Sequence, residues 1–137
     1  MADGKIESFD VVVVGAGFAG LYSLHKLRGM GMSVKVFEAG DGVGGTWFWN
    51  RYPGARCDVE SMEYSYSFDP ELEQEWVWPD KYSKQNDILA YANHVADRFD
   101  LRRDIQFETR IKSALFDRET NRWTIETEKG ERVSAQF

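Results

Sequence analysis

The chain has 137 residues, a hydrophobic fraction of 42% and a formal net charge of -6 at pH 7. This length suits the core of one domain, and the negative charge argues against nucleic acid and anionic membranes, whose phosphates would meet a surface of like charge. The one cysteine, Cys57, allows no internal disulfide or cysteine metal cluster, and the four-valine run is too short for a signal peptide or membrane span, so we expect a cytoplasmic protein.

The first predicted unit is a strand, a helix and a second strand. Residues 9–14 are rich in β-branched side chains, which predicts a strand buried on both faces. Leucines recur at every third position within 18–30, which predicts a helix. Residues 33–38 alternate between apolar and polar side chains and predict another strand. The unit is one right-handed crossover of an α/β fold.

The rest of the chain predicts a long loop, one more helix and two further strands. Residues 39–70 are rich in glycine and aromatic side chains, and so long a connection usually carries function. Residues 86–99 have apolar positions at helical spacing. Residues 105–111 and 121–128 alternate like strands of a partly exposed sheet, with turns at 117–121 and 129–130.

A glycine-rich fingerprint separates the first strand from the first helix. Residues 15–20 read GAGFAG, and this strand-to-helix context is that of a dinucleotide site. The three glycines permit a tight turn, close approach of the pyrophosphate and close packing of the helix. The acid that ends the second strand can accept hydrogen bonds from ribose hydroxyls, and its charge disfavours a 2′-phosphate. The predicted nucleotide-binding residues are Gly15, Gly17, Phe18, Gly20 and Glu38.

A simple structural explanation also exists for this fingerprint, in which the glycines only shape a turn and Glu38 is a solvated charge. The fingerprint alone also leaves the choice between FAD and NAD open. That choice comes from residues 44–58, which read GGTWFWNRYPGARCD. This run closely resembles the FAD-binding segment at the N-terminus of Baeyer–Villiger monooxygenases, and the likeness extends over nearly the whole chain.

The resemblance implies roles for individual residues. The flavin contacts it implies come from Gly44, Gly45, Thr46, Trp47, Trp49, Asp58, Tyr64, Gln85 and, through its backbone to the adenine, Ile111. Arg56, Cys57 and Asp58 would lie where NADPH meets the flavin. Asp58 would also support an active-site arginine, and it is the one residue given a catalytic role.

Several of these residues have structural alternatives. Trp47, Trp49 and Tyr52 can form an aromatic mini-core, because such rings bury large areas. Cys57 is a candidate for a small buried side chain, since no second cysteine could resolve an oxidised thiol. Arg56 can be a surface cation. His25 and His94 lack a second ligand at metal spacing, and no metal site is expected.

The function implied by the resemblance is FAD- and NADPH-dependent insertion of one oxygen atom of O2 beside a ketone carbonyl, which gives an ester or lactone. The chain has no second glycine fingerprint, no F-x-G-x-x-x-H-x-x-x-W signature and no later candidate for the active-site arginine. We therefore expect residues 1–137 to be the N-terminal part of the FAD-binding domain of a two-dinucleotide-binding-domain flavoprotein, completed by the rest of the polypeptide. The alternatives are a flavin-containing N- or S-oxygenase and a non-catalytic nucleotide-binding module.

Overall fold

The strand, helix and strand predicted at the start of the chain are present. A computed structural model describes residues 6–137. Its first elements are strands β1 (Glu7–Phe9) and β2 (Val11–Val14), helix α1 (Phe18–Gly29) and strand β3 (Val34–Phe37). Strands β2 and β3 pair in parallel, with Val11 opposite Val34. The prediction that the N-terminus lacks a signal peptide falls partly on residues 1–5, outside the described residues.

Besides a short 3₁₀ helix at Arg102–Asp104, three α-helices and four strands complete the described part of the fold. They are α2 (Thr46–Trp49), α3 (Pro70–Glu75), α4 (Gln85–Arg98), β4 (Ile105–Gln106), β5 (Ile111–Asp117), β6 (Arg122–Thr127) and β7 (Arg132–Ala135). Helix α4 confirms the predicted helix over 86–99. Helix α3 was not predicted, although Asp69 accepts a hydrogen bond from the N–H of Leu72 at 2.9 Å and Pro70 follows it. Both are common features of a helix start.

The single strand predicted over residues 9–14 is wrong, because Asp10 divides it. The Asp10 carboxylate accepts from the N–H of Ser33 at 2.8 Å, and the N–H of Asp10 donates to the Ser33 hydroxyl at 2.8 Å. This reciprocal pair of hydrogen bonds lies where the chain passes from the sheet that contains β1 to the sheet that contains β2. Strand β1 pairs with β7, whereas β2 pairs with β3.

The prediction of one strand over 105–111 is also wrong. Strand β4 pairs in parallel with β3, with Val36 opposite Ile105, and so completes a three-stranded parallel sheet. The chain then turns at Glu108, which has a φ of 51° and donates its N–H to the carbonyl of Gly40 at 2.9 Å. The antiparallel strand begins only at Ile111. The predicted strand over 121–128 is confirmed as β6, which lies between β5 and β7.

The parallel sheet lies between a layer of helices and the second sheet. Val34 and Val36 of β3 belong to a buried cluster with Leu24 of α1 and Val95 of α4. On the other face, Phe37 packs with residues of β6 and β7. This α/β arrangement agrees with the alternation predicted for residues 33–38, and it brings the carboxyl ends of β2 and β3 to one edge of the sheet.

The early and late parts of the chain meet. Strand β1 pairs in parallel with β7, with Glu7 opposite Val133. Phe137 then exchanges two backbone hydrogen bonds of 3.0 Å with Asp10 and Val12, so the chain returns to the parallel sheet beside β2. Within residues 6–137, no helix has the length and apolar character needed to cross a membrane.

His25 of α1 makes the stability of this fold depend on pH. Its ring lies 4.5 Å from that of Phe68 and 4.8 Å from that of Phe99, measured between centroids. Burial, followed by the charge of Arg28, lowers the pKa of His25 from its ordinary value near 6.5. Below that pH the unfolded chain binds more protons than the folded protein, so the free energy of unfolding should fall as the pH falls.

The variant His25→Phe should lose this part of the pH dependence while it keeps an aromatic ring between Phe68 and Phe99. Urea unfolding between about pH 8 and pH 5 measures the effect as a shallower slope below about pH 6.5. The matched control is His94→Phe, at a histidine that contacts Glu75 at 3.0 Å. An unchanged slope in His25→Phe would contradict the prediction.

Candidate dinucleotide-binding site

An open cleft of about 350 Å³ lies at the carboxyl end of β2. It is lined by Val14, Gly15, Gly17, Phe18, Ala19, Gly20, Gly44, Gly45, Thr46, Trp47 and Tyr64. Most of the residues predicted to bind the cofactor are therefore together in one cleft. The cleft lies at the edge of a parallel sheet where ligands of α/β proteins usually bind.

The turn between β2 and α1 depends on two of its glycines. Gly15 has a φ of +100°, a conformation that side chains rarely adopt. A Cβ atom on Gly20 would lie 1.9 Å from the Gly15 carbonyl oxygen. The first turn of α1 is thus packed directly on the end of β2, as the fingerprint predicts for Gly20.

The start of α1 presents hydrogen-bond donors to the cleft. Gly17 is the residue before the helix, no side chain caps it, and the first turn contains no acidic residue. The N–H groups of the first turn have no partners within the helix and carry its partial positive charge. This arrangement suits an anion such as a pyrophosphate.

Glu38 joins the two glycine-rich loops beside the cleft. Its side chain is 5% exposed. One carboxylate oxygen accepts from the N–H of Ala16 at 3.1 Å and the other accepts from the N–H of Gly40 at 3.1 Å. Glu38 is therefore not a solvated charge at a strand end. Each carboxylate oxygen retains a lone pair that can accept from a ribose hydroxyl. The contact of Glu38 with the ribose stays a prediction.

The two glycine-rich loops touch each other backbone to backbone. A Cβ atom on Gly45 would lie 2.9 Å from the Cα of Gly17, and a Cβ on Gly17 would lie 3.3 Å from the Cα of Gly45. The N–H of Gly44 also donates to the carbonyl of Ala16 at 3.0 Å. This contact was not predicted, because Gly17 and Gly45 were each expected to approach the cofactor.

Trp47 and Tyr64 form one wall of the cleft. The indole N–H of Trp47 donates to the Tyr64 hydroxyl at 2.9 Å, and the Tyr64 ring stands edge-on to Phe18 with 5.3 Å between centroids. From the other side, the side-chain amide of Gln85 donates to the Trp47 carbonyl. Gln85 thus supports the wall from the first turn of α4.

The aromatic residues after Trp47 have different surroundings. Trp49 and Tyr52 are 58% and 63% exposed, so the mini-core interpretation is wrong for these two side chains. Phe48, which was not singled out, covers Gly40 and Gly42, where added Cβ atoms would lie 2.6 and 3.0 Å from its ring. The contacts of Trp49 with a cofactor stay a prediction.

Arg56, Cys57 and Asp58 lie outside the first cleft. Arg56 is exposed, donates to the carbonyl of Tyr82 at 3.1 Å and lines a second cleft of about 290 Å³ together with Gln85. Cys57 is 6% exposed, in agreement with a small buried side chain. The Asp58 side chain is exposed and has no hydrogen bond or ion pair within residues 6–137.

Ile111 follows a segment that is hydrogen-bonded to the end of β3. It begins β5 and packs with the cluster around Phe37. Two residues earlier, the N–H of Thr109 donates to the backbone carbonyl of Glu38 at 2.9 Å, so this segment follows the same edge of the parallel sheet. Its contact with an adenine stays a prediction.

Known proteins were compared with this fold and site. Residues 13–74 match the family described as NAD(P)-binding Rossmann-like domain. The acetone monooxygenase (methyl acetate-forming) of Gordonia sp. strain TY-5 is 50% identical over 130 residues, which cover 95% of this chain and 24% of that protein. The phenazine N-monooxygenase PhzNO1 of Lysobacter antibioticus is 48% identical over 138 residues, covering 100% of this chain and 26% of that protein.

Solved structures give the same result. A steroid monooxygenase in its oxidised form bound to NADP has 66% sequence identity and a TM-score of 0.94, with coverage of 95% of this chain and 25% of that chain. Cyclohexanone monooxygenase from Rhodococcus sp. Phi1 bound to NADP+ has 46% identity and a TM-score of 0.95, with coverage of 97% and 25%.

The parallel sheet, the glycine turn and the cleft define a Rossmann-like dinucleotide-binding segment. The chain spans about a quarter of the length of the relatives it matches. Within that class the chain is similar, over nearly its whole length, to Baeyer–Villiger and related monooxygenases, as the resemblance of residues 44–58 predicts.

Proposed function

We propose that this chain is the N-terminal part of the FAD-binding domain of a longer monooxygenase, which uses NADPH and O2 to convert a ketone into an ester or lactone. One observation carries the proposal most directly. The glycine turn of residues 15–20 and the loop that begins at Gly44 meet around one cleft, of which Trp47 and Tyr64 form a wall, and Glu38 accepts a hydrogen bond from the glycine turn.

The residues of the cleft fit FAD. The uncapped first turn of α1 offers N–H groups to a pyrophosphate, and no acidic side chain competes for them. The remaining lone pairs of Glu38 can accept from the ribose diol. A negatively charged 2′-phosphate would be repelled there, so we assign NADPH to the second cleft, beside Arg56. One relative of 38% identity is described in complex with FAD and NADP, which supports two separate dinucleotides.

When bound, FAD supplies the redox chemistry. The residues of this chain then bind and orient the cofactor. The first turn of α1 holds the pyrophosphate, while Trp47 and Tyr64 bound the cleft. Asp58, exposed and without an ion pair among the described residues, is free to orient a cationic side chain from the rest of the polypeptide. This positioning is its proposed catalytic contribution, and the cytoplasm is the proposed location of the enzyme.

Oxygenation of a ring nitrogen is a second candidate activity. The observation that favours it is the 48% identity with a phenazine N-monooxygenase over the full length of this chain. The two activities differ in the product, because one yields an ester or lactone and the other an N-oxide. The same assay should therefore include both kinds of small-molecule substrate, a ketone and a compound with a ring nitrogen.

The test uses the full-length protein that contains this chain, purified without denaturant. We expect it to retain FAD, identified by chromatography after heat release, and to consume NADPH faster when a ketone is added. With ¹⁸O-labelled O2, mass spectrometry should show one labelled oxygen in the ester. A label found only in an N-oxide would favour the second candidate. A protein that retains no flavin and binds none on addition would contradict both.

A further inference from the structure

Tyr66 connects the start of α1 to α4. Its hydroxyl donates to the backbone carbonyl of Phe18, the first residue of α1. Its own N–H donates to the hydroxyl of Tyr91 in α4 at 2.9 Å. Tyr91 is 1% exposed, so the support behind Tyr66 is buried and fixed by packing. Neither tyrosine belongs to a motif from which its role could be predicted.

The hydroxyl of Tyr66 adds to the hydrogen bonds that the helix already makes. In an α-helix the carbonyl of Phe18 accepts from the N–H four residues later, and its second lone pair remains available. The ring of Phe18 lies 5.3 Å from Tyr66 and 6.1 Å from Tyr91, measured between centroids. The first turn of α1 is therefore held both through the backbone carbonyl of Phe18 and through the Phe18 ring.

Tyr66 reaches the cleft through its hydrogen bond to Phe18. It is not among the residues that line the cleft, and it borders a neighbouring groove that shares Phe18 and Ala19 with the cleft. Phe18 itself lines the cleft, and the N–H groups of its turn face the proposed pyrophosphate. Burial raises the pKa of the Tyr66 phenol, so the hydroxyl remains a donor throughout the ordinary pH range.

We propose that Tyr66 is a positioning residue whose hydroxyl fixes the first turn of α1 so that its N–H groups are preorganised for the pyrophosphate of FAD. The proposal rests on the proposed function for the identity of the ligand. It goes beyond that function because it states that a hydrogen bond made outside the cleft keeps the phosphate-binding turn ordered.

The test is Tyr66→Phe in the full-length protein, since this change keeps the ring and removes only the hydroxyl. Loss of one hydrogen bond should weaken FAD binding about five- to tenfold, measured by titration of the flavin-free protein. Hydrogen exchange of peptides that include residues 17–21 should become faster in the flavin-free protein. The matched control is Tyr22→Phe, which should change neither quantity.

A second control separates positioning from general stability. Val133→Ala removes buried methyl groups of β7 from the cluster around Phe37, which contains no residue of α1, and should lower the unfolding temperature without changing FAD affinity. Unchanged FAD affinity in Tyr66→Phe, or unchanged exchange at residues 17–21, would overturn the proposal. If the unmodified protein bound no FAD, the proposed function would fail, while exchange in the ligand-free protein would still decide the role of Tyr66.

Discussion

Gly20→Ala is expected to abolish retention of FAD by the full-length protein. The added Cβ would lie 1.9 Å from the carbonyl oxygen of Gly15 and 2.9 Å from its carbonyl carbon, and both are backbone atoms that cannot rotate away. The first turn of α1 must therefore move off the end of β2. We expect FAD affinity to fall at least about 100-fold, or about 3 kcal/mol, and the free energy of unfolding to fall by about 2–4 kcal/mol.

The control for this variant is the same substitution at the other end of the same helix. An added Cβ on Gly29 would meet no atom within 4 Å. Gly29→Ala should leave FAD affinity unchanged and leave stability unchanged or raise it by up to about 1 kcal/mol. Flavin titration and urea unfolding of both variants give the comparison. Tight FAD binding by Gly20→Ala would show that the turn can move without loss of the site.

Gly45→Ala is expected to disturb the phosphate-binding turn from outside it. The φ of Gly45 is +56°, which costs an alanine about 1–2 kcal/mol, and the new methyl group would lie 2.9 Å from the Cα of Gly17. Gly17 must shift, and the donors of α1 shift with it. We expect FAD affinity to fall about tenfold or more and stability to fall by about 2–3 kcal/mol.

Gly130→Ala isolates the effect of the contact from that of the backbone. Gly130 has a φ of +91° in the turn between β6 and β7, and an added Cβ would meet nothing within 4 Å. Its alanine variant should lose about 1–2 kcal/mol of stability and keep its FAD affinity. Equal FAD affinities in Gly45→Ala and Gly130→Ala, measured by titration at the same temperature, would contradict coupling between the two glycine loops.

The parts of the fold that the sequence predicted are those with a local signal. The run of β-branched residues, the spacing of the leucines and the fingerprint each lie within one short segment, and the crossover they predict is confirmed. The strand break at Asp10 could not be predicted in the same way. It depends on Ser33, a residue brought alongside only when β2 and β3 pair.

In the candidate site, too, the features that the sequence predicted are those with a local signal. The fingerprint at residues 15–20 and the resemblance over residues 44–58 together predicted most of the cleft residues, because each is one continuous run in the sequence. Contacts between distant loops escaped prediction, since neither the approach of Gly17 to Gly45 nor the bond from Tyr66 to Phe18 leaves a periodic pattern. The predicted roles of Arg56 and Asp58, where NADPH would meet the flavin, stay predictions: Arg56 lines the second cleft and Asp58 is exposed.

The pairing of β1 with β7 sets an order for folding during synthesis. The strands β2, β3 and β4 are complete once residue 106 has left the ribosome. Strand β1 has no partner until Val133 follows. The parallel sheet and its helices are therefore expected to fold first and the local antiparallel strands next. Until β7 arrives, β1 remains an open edge to which another nascent chain can pair.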